Sequence, residues 1–358
     1  MSNQKIFYPL LLIALLLLAS TAVLQVASYE PVSGPPPPFP NQTKTAVSPT
    51  STTATNTAIY LPFITTPPEP PPWVDTQNRA AVRDYYLTVY QASVGANPGW
   101  TGHHASCNPG TTTAAFKEAM ALRINYFRQM AGVPAIDGFK AEYNQKAQAA
   151  ALMMSVNRAL SHTPPPSWLC YSDDGYSGAS SSNLYLMLYG PTAISGYVRD
   201  PGSGNYFVGH RRWILYPQTR YMGTGDIPPQ SGYPGAQALW VFDQDNMWGP
   251  RPDTREPFVA WPPPGYVPYQ VVYPRWSFAY AGADFANASV TMTRNGQPIG
   301  VTVSPVVNGF GENTLVWELS ESIPQPPAHD ISFDVTVHNV VINGQTQQFE
   351  YQVIIFNP

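Results

Sequence analysis

Two histidines stand where side chains could do chemistry. His162 lies in the segment LSHTPPPSW, directly after a stretch with helical spacing, and His210 lies in NYFVGHRRWIL. Binding and catalytic residues concentrate at helix ends and in loops. A neutral imidazole can bind Zn²⁺ or a similar cation, and it can also act as a general base. Taken singly, either histidine could equally be one whose ring nitrogen is bonded to a local backbone carbonyl.

The other four of the six histidines are expected at the surface. His103 and His104 lie in a Gly-rich loop, which predicts contact with solvent. His329 and His338 fall in a region of alternating β pattern and are expected on its outer face.

The chain has two cysteines, Cys107 and Cys170. In an oxidising compartment an isolated pair is most simply a disulfide, here one that joins two loops. A metal-thiolate site would need more sulfur or a nearby histidine. The sequence therefore favours the disulfide.

The N-terminus indicates export. Lys5 precedes an apolar stretch from Ile6 to Ala19, and small residues follow, so residues 1–28 are predicted to be a secretory signal or a membrane anchor. Cleavage and retention are both open. Residues 29–75 are rich in Pro and Thr and predict a disordered, solvated linker. We therefore expect a secreted protein or one held at the cell surface, with membrane contact only through this segment.

The composition excludes one class of partner. The formal net charge is −4, so nucleic acid is not an expected ligand. Only 11% of residues are charged while 13% are aromatic, a balance that fits an exported protein.

Helical spacing and stop signals predict four helices before residue 201. Possible N-caps at Thr111–Thr113 precede the second, and Gly132 with Pro134 ends it. A short apolar run at 238–242 predicts a strand. The predicted helices span about 76–94, 114–131, 141–160 and 191–200.

Beyond about Pro262 the pattern becomes alternating. Asn295-Gly296 and Asn343-Gly344 stand between alternating runs and predict tight hairpin turns. The aromatic residues from Trp261 to Trp276 are expected to pack between domains rather than form a carbohydrate platform. This predicts an immunoglobulin-like β-sandwich at 256–358, with strands near 290–293, 299–303, 315–319 and 333–337.

An ordered set of motifs carries a resemblance: INYFRQMAGVPA, a Gln/Ala-rich helix, then SH, SSNLYL, GYVRD and GHRRWIL. Over residues 110–245 the chain resembles the bacterial branch of the CAP superfamily, named for cysteine-rich secretory proteins, antigen 5 and pathogenesis-related 1, also called the SCP domain. The resemblance implies an α-β-α sandwich at 76–255 with a cleft lined by two histidines and two acidic residues. The expected fold class is α+β, with this domain before the β-sandwich.

The family's positions carry over residue by residue. His162 and His210 match its two histidines, and Asp200 matches its second acidic residue. The family's Gly-Glu-Asn reads Ser-Ser-Asn here, so Ser182 replaces the first acidic residue. Arg211 is expected either to contribute to the electrostatics of the cleft or to be a surface cation. The resemblance thus implies a cleft of His162, Ser182, Asn183, Asp200, Asn205, His210 and Arg211.

Three functions follow from these residues. The favoured one is binding of an extracellular small molecule, lipid, glycan or peptide in the cleft. Zn²⁺ or another divalent metal on His162 and His210 is the candidate cofactor, with none expected otherwise, and loss of the glutamate should weaken that site. A His-dependent or metal-assisted hydrolase is the alternative, although the chain lacks GxSxG and HExxH motifs. A structural protein of the cell envelope needs neither site.

Overall fold

The computed structural model describes residues 73–358. The predicted signal or anchor at 1–28 and nearly all of the linker at 29–75 lie outside the described residues. Within 73–358 no helix has the length and apolar character needed to cross a membrane. The α-helices of this part are Arg79–Tyr85 (α1), Ala114–Met130 (α2), Ala141–Asn157 (α3), Asp173–Ser180 (α4), Gly190–Arg199 (α5) and Gly209–Ile214 (α6).

Side-chain caps define where helices begin. The Asn78 side chain accepts hydrogen bonds from the first turn of α1, and Thr113 accepts one from Phe116 N at the start of α2. The helix predicted at 76–94 continues past α1 as a π-helical and then a 3₁₀ turn to Ser93. Helix α3 ends three residues earlier than predicted, because Arg158 adopts a left-handed conformation with φ of 53°.

Four strands form the first sheet. Its order is β1-β3-β4-β2, with β1 parallel to β3 and the other pairs antiparallel. The strand predicted at 238–242 is found two residues earlier. The strands are Gly138–Phe139 (β1), Ser182–Leu186 (β2), Tyr221–Ile227 (β3) and Ala236–Trp240 (β4).

Helices cover both faces of this sheet. Because side chains alternate along a strand, Ala238 and Trp240 of β4 pack with α3 and α4, whereas Leu239 packs with α2 and α5. The alternation continues past the strand, where Val241 joins Leu239 in the same core. The result is a helix-sheet-helix arrangement.

Glycines on β3 let α3 lie unusually close to the sheet. A Cβ atom added at Gly225 would lie 2.2 Å from the carbonyl carbon of Ala147, and one added at Gly223 would lie 2.4 Å from the Cβ of Tyr143. Both distances are far below van der Waals contact. Any side chain at these two positions would therefore push the helix away.

Two further sheets form the C-terminal part, in the orders β10-β11-β7-β5 and β6-β13-β12-β8-β9. All pairs are antiparallel except β6 with β13. Both predicted Asn-Gly turns are confirmed, since Asn295, Gly296, Asn343 and Gly344 all have positive φ, as a tight hairpin turn requires. The strands are Val259–Trp261 (β5), Gly265–Pro268 (β6), Arg275–Ala279 (β7), Ser289–Arg294 (β8), Gln297–Ile299 (β9), Val301–Val303 (β10), Thr314–Leu319 (β11), Ile331–Ile342 (β12) and Gln345–Phe356 (β13).

The two sheets face each other across a core that continues into the helical part. Trp276 of β7 meets Phe333 of β12 edge-on, with ring centroids 5.4 Å apart. Trp261 of β5 meets Phe127 of α2 at 5.1 Å. Both tryptophans are 0% exposed. Trp261 therefore packs against the helical part, as predicted, whereas Trp276 packs between the two C-terminal sheets.

Candidate functional site

An aspartate holds the second histidine. Asp200 ends α5 in a left-handed conformation, and His210 lies in the first turn of α6. The Asp200 carboxylate accepts a hydrogen bond from His210 Nδ1 at 2.7 Å and another from the His210 backbone N–H at 3.0 Å. A carboxylate is a proton acceptor, so the neutral ring carries its proton on Nδ1 and its lone pair on Nε2.

The first histidine has the same tautomer for a different reason. His162 Nδ1 lies 2.9 Å from the carbonyl oxygen of Ala179, which can only accept. Burial, with a smaller contribution from the charge of a protonated His210, lowers the pKa of His162 to about 4, although the hydrogen bond to Ala179 opposes the fall. His162 is therefore neutral near pH 7.

Two asparagines support this region. Asn183 Nδ2 donates to the carbonyl oxygen of His210 at 3.0 Å, and the Tyr197 hydroxyl donates to the carbonyl oxygen of Asn183 at 3.0 Å. Asn205 Nδ2 donates to the Pro201 carbonyl oxygen at 2.8 Å. Asn205 Oδ1 is buried and has no hydrogen-bond partner among the described residues. Asn205 therefore presents an acceptor that its own loop does not satisfy.

A small cavity lies beside these groups. Its volume is about 20 Å³, which is room for about one water molecule or one polar group of a ligand. The polar side chains on its wall are those of Asp200, Asn205 and His210, and most of the rest of the wall is apolar. The lining residues are Leu160, Leu184, Tyr185, Leu186, Gly196, Tyr197, Asp200, Pro201, Asn205 and His210.

The two remaining residues of the predicted cleft lie differently. Ser182 begins β2 and is buried, and its Oγ makes no hydrogen bond within the described part of the chain. Arg211 donates from Nε to the Val198 carbonyl oxygen at 2.7 Å and from Nη1 to Ser277 Oγ at 3.0 Å. It is 1% exposed, so the expectation of a surface cation is wrong. Its guanidinium lies between α5 and β7, because α6 turns that side chain towards the β-sandwich.

The metal-ligand set is limited. Both carboxylate oxygens of Asp200 are engaged by His210. Among residues 73–358 no group of three or more His, Cys, Asp and Glu side chains is placed to hold a metal ion. Structural zinc sites take four protein ligands and catalytic ones three. A zinc ion on His162 and His210 would therefore need further ligands to reach these numbers.

The cysteine prediction is confirmed: Cys107 and Cys170 form a disulfide. It joins the loop before α2 to the loop after α3. Folding of the first loop onto α3 also buries His104, whose prediction as a solvent-exposed residue is wrong. His104 is 3% exposed, bonds to Ser155 Oγ and Gln230 Oε1 at 3.1 Å each, and stacks on Tyr233. The predicted surface positions of His103 and His329 are confirmed, and His338 bonds to Thr291 and Gln348 on the outer face of β12.

The sequence reasoning missed a buried carboxylate. Asp226 on β3 is 0% exposed and accepts hydrogen bonds from Gly190 N at 2.6 Å and Thr224 Oγ1 at 2.7 Å. Burial raises the pKa of Asp226 to about 6, although these two hydrogen bonds oppose the rise. Asp226 holds the start of α5, which leads to Asp200. The sequence signal that could have indicated this carboxylate was an aspartate inside a glycine-rich strand.

Asp226 and His162 should give opposite pH dependences of stability. The folded-state pKa of Asp226, about 6, exceeds its unfolded value, so its contribution is full below about pH 4 and is lost as the pH rises through 6. The folded-state pKa of His162, about 4, lies below its unfolded value, so its contribution is full above about pH 6.5 and is lost as the pH falls through 4. Between about pH 4 and pH 6 the changes in stability due to Asp226 and His162 largely offset each other.

We expect Asp226→Asn to reveal the increase in the free energy of unfolding with pH that is due to His162. Relative to that of the unaltered chain, the free energy of unfolding of the variant should increase by about 2–3 kcal/mol between pH 4 and pH 7. Urea unfolding at four pH values in this range measures the difference. Asp253→Asn, at an exposed position, is the matched control. Parallel curves for Asp226→Asn and the unaltered chain would contradict the assignment.

Comparison with known proteins supports the family assignment. Residues 122–243 match the model of the cysteine-rich secretory protein family, CAP. No curated protein sequence matches the chain. A similar solved structure is that of PcoC, a methionine-rich copper resistance protein from Escherichia coli, with 13% identity over 27% of this chain and 92% of that one and a TM-score of 0.22. That score is too low to carry an argument. The family match at residues 122–243, which include both histidines and Asp200, is thus consistent with a CAP domain.

Proposed function

We propose that this chain is an extracellular binding protein whose CAP domain holds the polar end of an amphipathic small molecule or lipid beside His210. The cavity at Asp200, Asn205 and His210 carries the proposal, because it combines polar groups with a largely apolar wall. The domain belongs to a family with a ligand-binding character, and the predicted N-terminal signal supports an extracellular location.

The tautomers indicate which polar group the site would take. His162 and His210 each hold their proton on Nδ1, so each Nε2 is an acceptor. Asn205 Oδ1 is a further buried acceptor. A ligand with a hydroxyl or amide N–H complements Asn205 Oδ1, which has no hydrogen-bond partner among the described residues, whereas an ether or a carboxylate does not.

The wall favours an apolar body for the rest of the ligand. Leu160, Leu184 and Leu186 line the cavity together with Tyr185. Met187, directly after Leu186 in the chain, adds an apolar side chain that is 60% exposed. Since the cavity itself admits only one small group, the apolar body would lie across this surface.

Binding has more support than hydrolysis. A nucleophile activated by histidine needs a hydrogen bond to the imidazole. Ser182 is the nucleophile that the resemblance offers, and its Oγ makes no such bond within residues 73–358. The donor set of two imidazoles also gives little support to metal-assisted chemistry.

The test uses the full chain labelled with ¹⁵N-histidine and two isomeric probes, 1-decanol and methyl nonyl ether. We expect 1-decanol to shift the Nε2 resonance of His210 and to bind about tenfold more tightly than the ether, because the ether leaves the buried Asn205 Oδ1 without a donor. His210→Phe should abolish the preference for the alcohol. His329→Gln, an exposed histidine in the β-sandwich, is the matched control and should leave it unchanged.

Equal affinity for the two probes, or no response of His210 to either, would overturn the proposal. A Zn²⁺ titration of the same sample forms the second arm. Stoichiometric Zn²⁺ binding that His210→Phe removes, without any response to 1-decanol, would establish the metal site instead.

A further inference from the structure

The site's aspartate lies at the start of an irregular loop. Residues 200–205 connect α5 to the segment before α6 and contain only a short 3₁₀ turn, Ser203–Asn205. Asp200 and Gly202 both have positive φ, at 51° and 99°. Such a loop has no sheet hydrogen bonds to fix its shape, so its carbonyl groups need other partners.

A residue of the β-sandwich supplies those partners. Arg275 of β7 donates from Nη1 to the carbonyl oxygens of Asp200 at 2.5 Å and Asn205 at 3.2 Å, and from Nη2 to that of Gly202 at 2.8 Å. Its Nε donates to Glu318 Oε1 on β11 at 3.0 Å. The Arg275 side chain is 14% exposed, so water competes little for these bonds.

The helix that carries His210 is attached to the same β-sandwich. Arg211 reaches Ser277 on β7. Arg212 donates to the carbonyl oxygens of Val307 at 2.7 Å and Glu312 at 3.1 Å. Thus the two residues that follow His210 bind the C-terminal part, while His210 itself turns towards Asp200.

We propose that Arg275 is a positioning residue for the Asp200–His210 pair, so that the β-sandwich completes the CAP site rather than serving only as a spacer. A guanidinium is planar and rigid, so three bonds from its two terminal nitrogens fix the loop's carbonyls relative to β7. The Asp200 backbone is then fixed, and its carboxylate meets both N–H groups of His210. The effect on ligand affinity rests on the proposed function, whereas the effect on the His210 ring does not.

The experiment compares Arg275→Gln with the unaltered full chain by ¹⁵N NMR of labelled histidines. We expect the His210 Nδ1–H to exchange with solvent at least tenfold faster in the variant, and the pH titration of the ring to shift. Affinity for 1-decanol should fall at least fivefold. Arg275→Lys, which keeps the charge but not the forked geometry of the guanidinium, should show smaller changes in the His210 readouts and in affinity than Arg275→Gln. Arg294→Gln is the matched control, because Arg294 lies on β8 in an exposed ion pair with Glu321.

A His210 exchange rate and titration in Arg275→Gln equal to those of Arg294→Gln would overturn the proposal. Should Arg275→Gln fail to fold, Glu318→Ala removes only the acceptor for Arg275 Nε, and the same two readouts decide. If 1-decanol does not bind the unaltered chain, the proposed function fails, but the His210 readouts still test the role of Arg275.

Discussion

Replacing Arg128 by methionine is expected to lower the free energy of unfolding by about 3–5 kcal/mol. Arg128 lies on α2 and is 0% exposed. Its guanidinium donates to four backbone carbonyl oxygens, all between 2.7 and 2.9 Å away, which belong to Pro134, Ile214, Tyr216 and Thr219. Methionine fills a similar volume but removes the donor from all four oxygens, of which only that of Tyr216 keeps another hydrogen-bond partner, Thr219 N at 3.3 Å, among the described residues.

Urea unfolding at pH 7 measures this effect. Arg128→Lys should recover only part of the loss, because one ammonium group cannot reach four carbonyls. Arg158→Met is the matched control: Arg158 is exposed and bonds to a single carbonyl, that of Gly232. A loss below 1 kcal/mol for Arg128→Met would show that water or a shift of the loops satisfies the carbonyls.

Removing the disulfide with Cys107→Ser/Cys170→Ser is expected to cost about 4 kcal/mol of the free energy of unfolding. The two cysteines are 63 residues apart in the chain, so the bond closes a long loop in the unfolded state. Without it, the unfolded chain gains conformational entropy.

The measurement compares the unaltered chain with and without a reductant against the double variant. The reduced chain should unfold at the same urea concentration as the variant, and the variant should not respond to the reductant. A variant as stable as the oxidised chain would mean that its unfolded state is already compact or that the native bond is strained.

Features with local causes were predictable from the sequence. The start of α2 follows from a threonine that caps its own helix, and the hairpin at Asn343-Gly344 follows from residues that tolerate positive φ. The end of α2 follows likewise from Gly132 and Pro134. In each case the residues that decide the structure lie within a few positions of it.

Features with tertiary causes were not predictable from the sequence. Strand β3 reads YMGTGDI, and its glycines argue against a strand until the closeness of α3 is known. Arg128 and Arg211 look like surface cations in a helical pattern, yet both are buried, because acceptors from other segments bond to their guanidinium groups. His104 is buried by a loop that the disulfide holds against α3.

The candidate site shows the same division. The pairing of Asp200 with His210 joins residues ten apart, and the family resemblance pointed to both. The side chain that secures their loop, Arg275, is 75 residues beyond Asp200 and belongs to the other half of the described chain. No motif near the cleft indicates it.

The bare backbone of β3 sets a distance that the site depends on. Helix α3 rests against Gly223 and Gly225 without an intervening side chain, and His162 follows five residues after the helix ends. His210 belongs to the helical layer on the opposite face of the same sheet. The thickness of one glycine-lined contact therefore helps to determine how far apart the two imidazoles stand, and an alanine there would widen that separation without touching either ring.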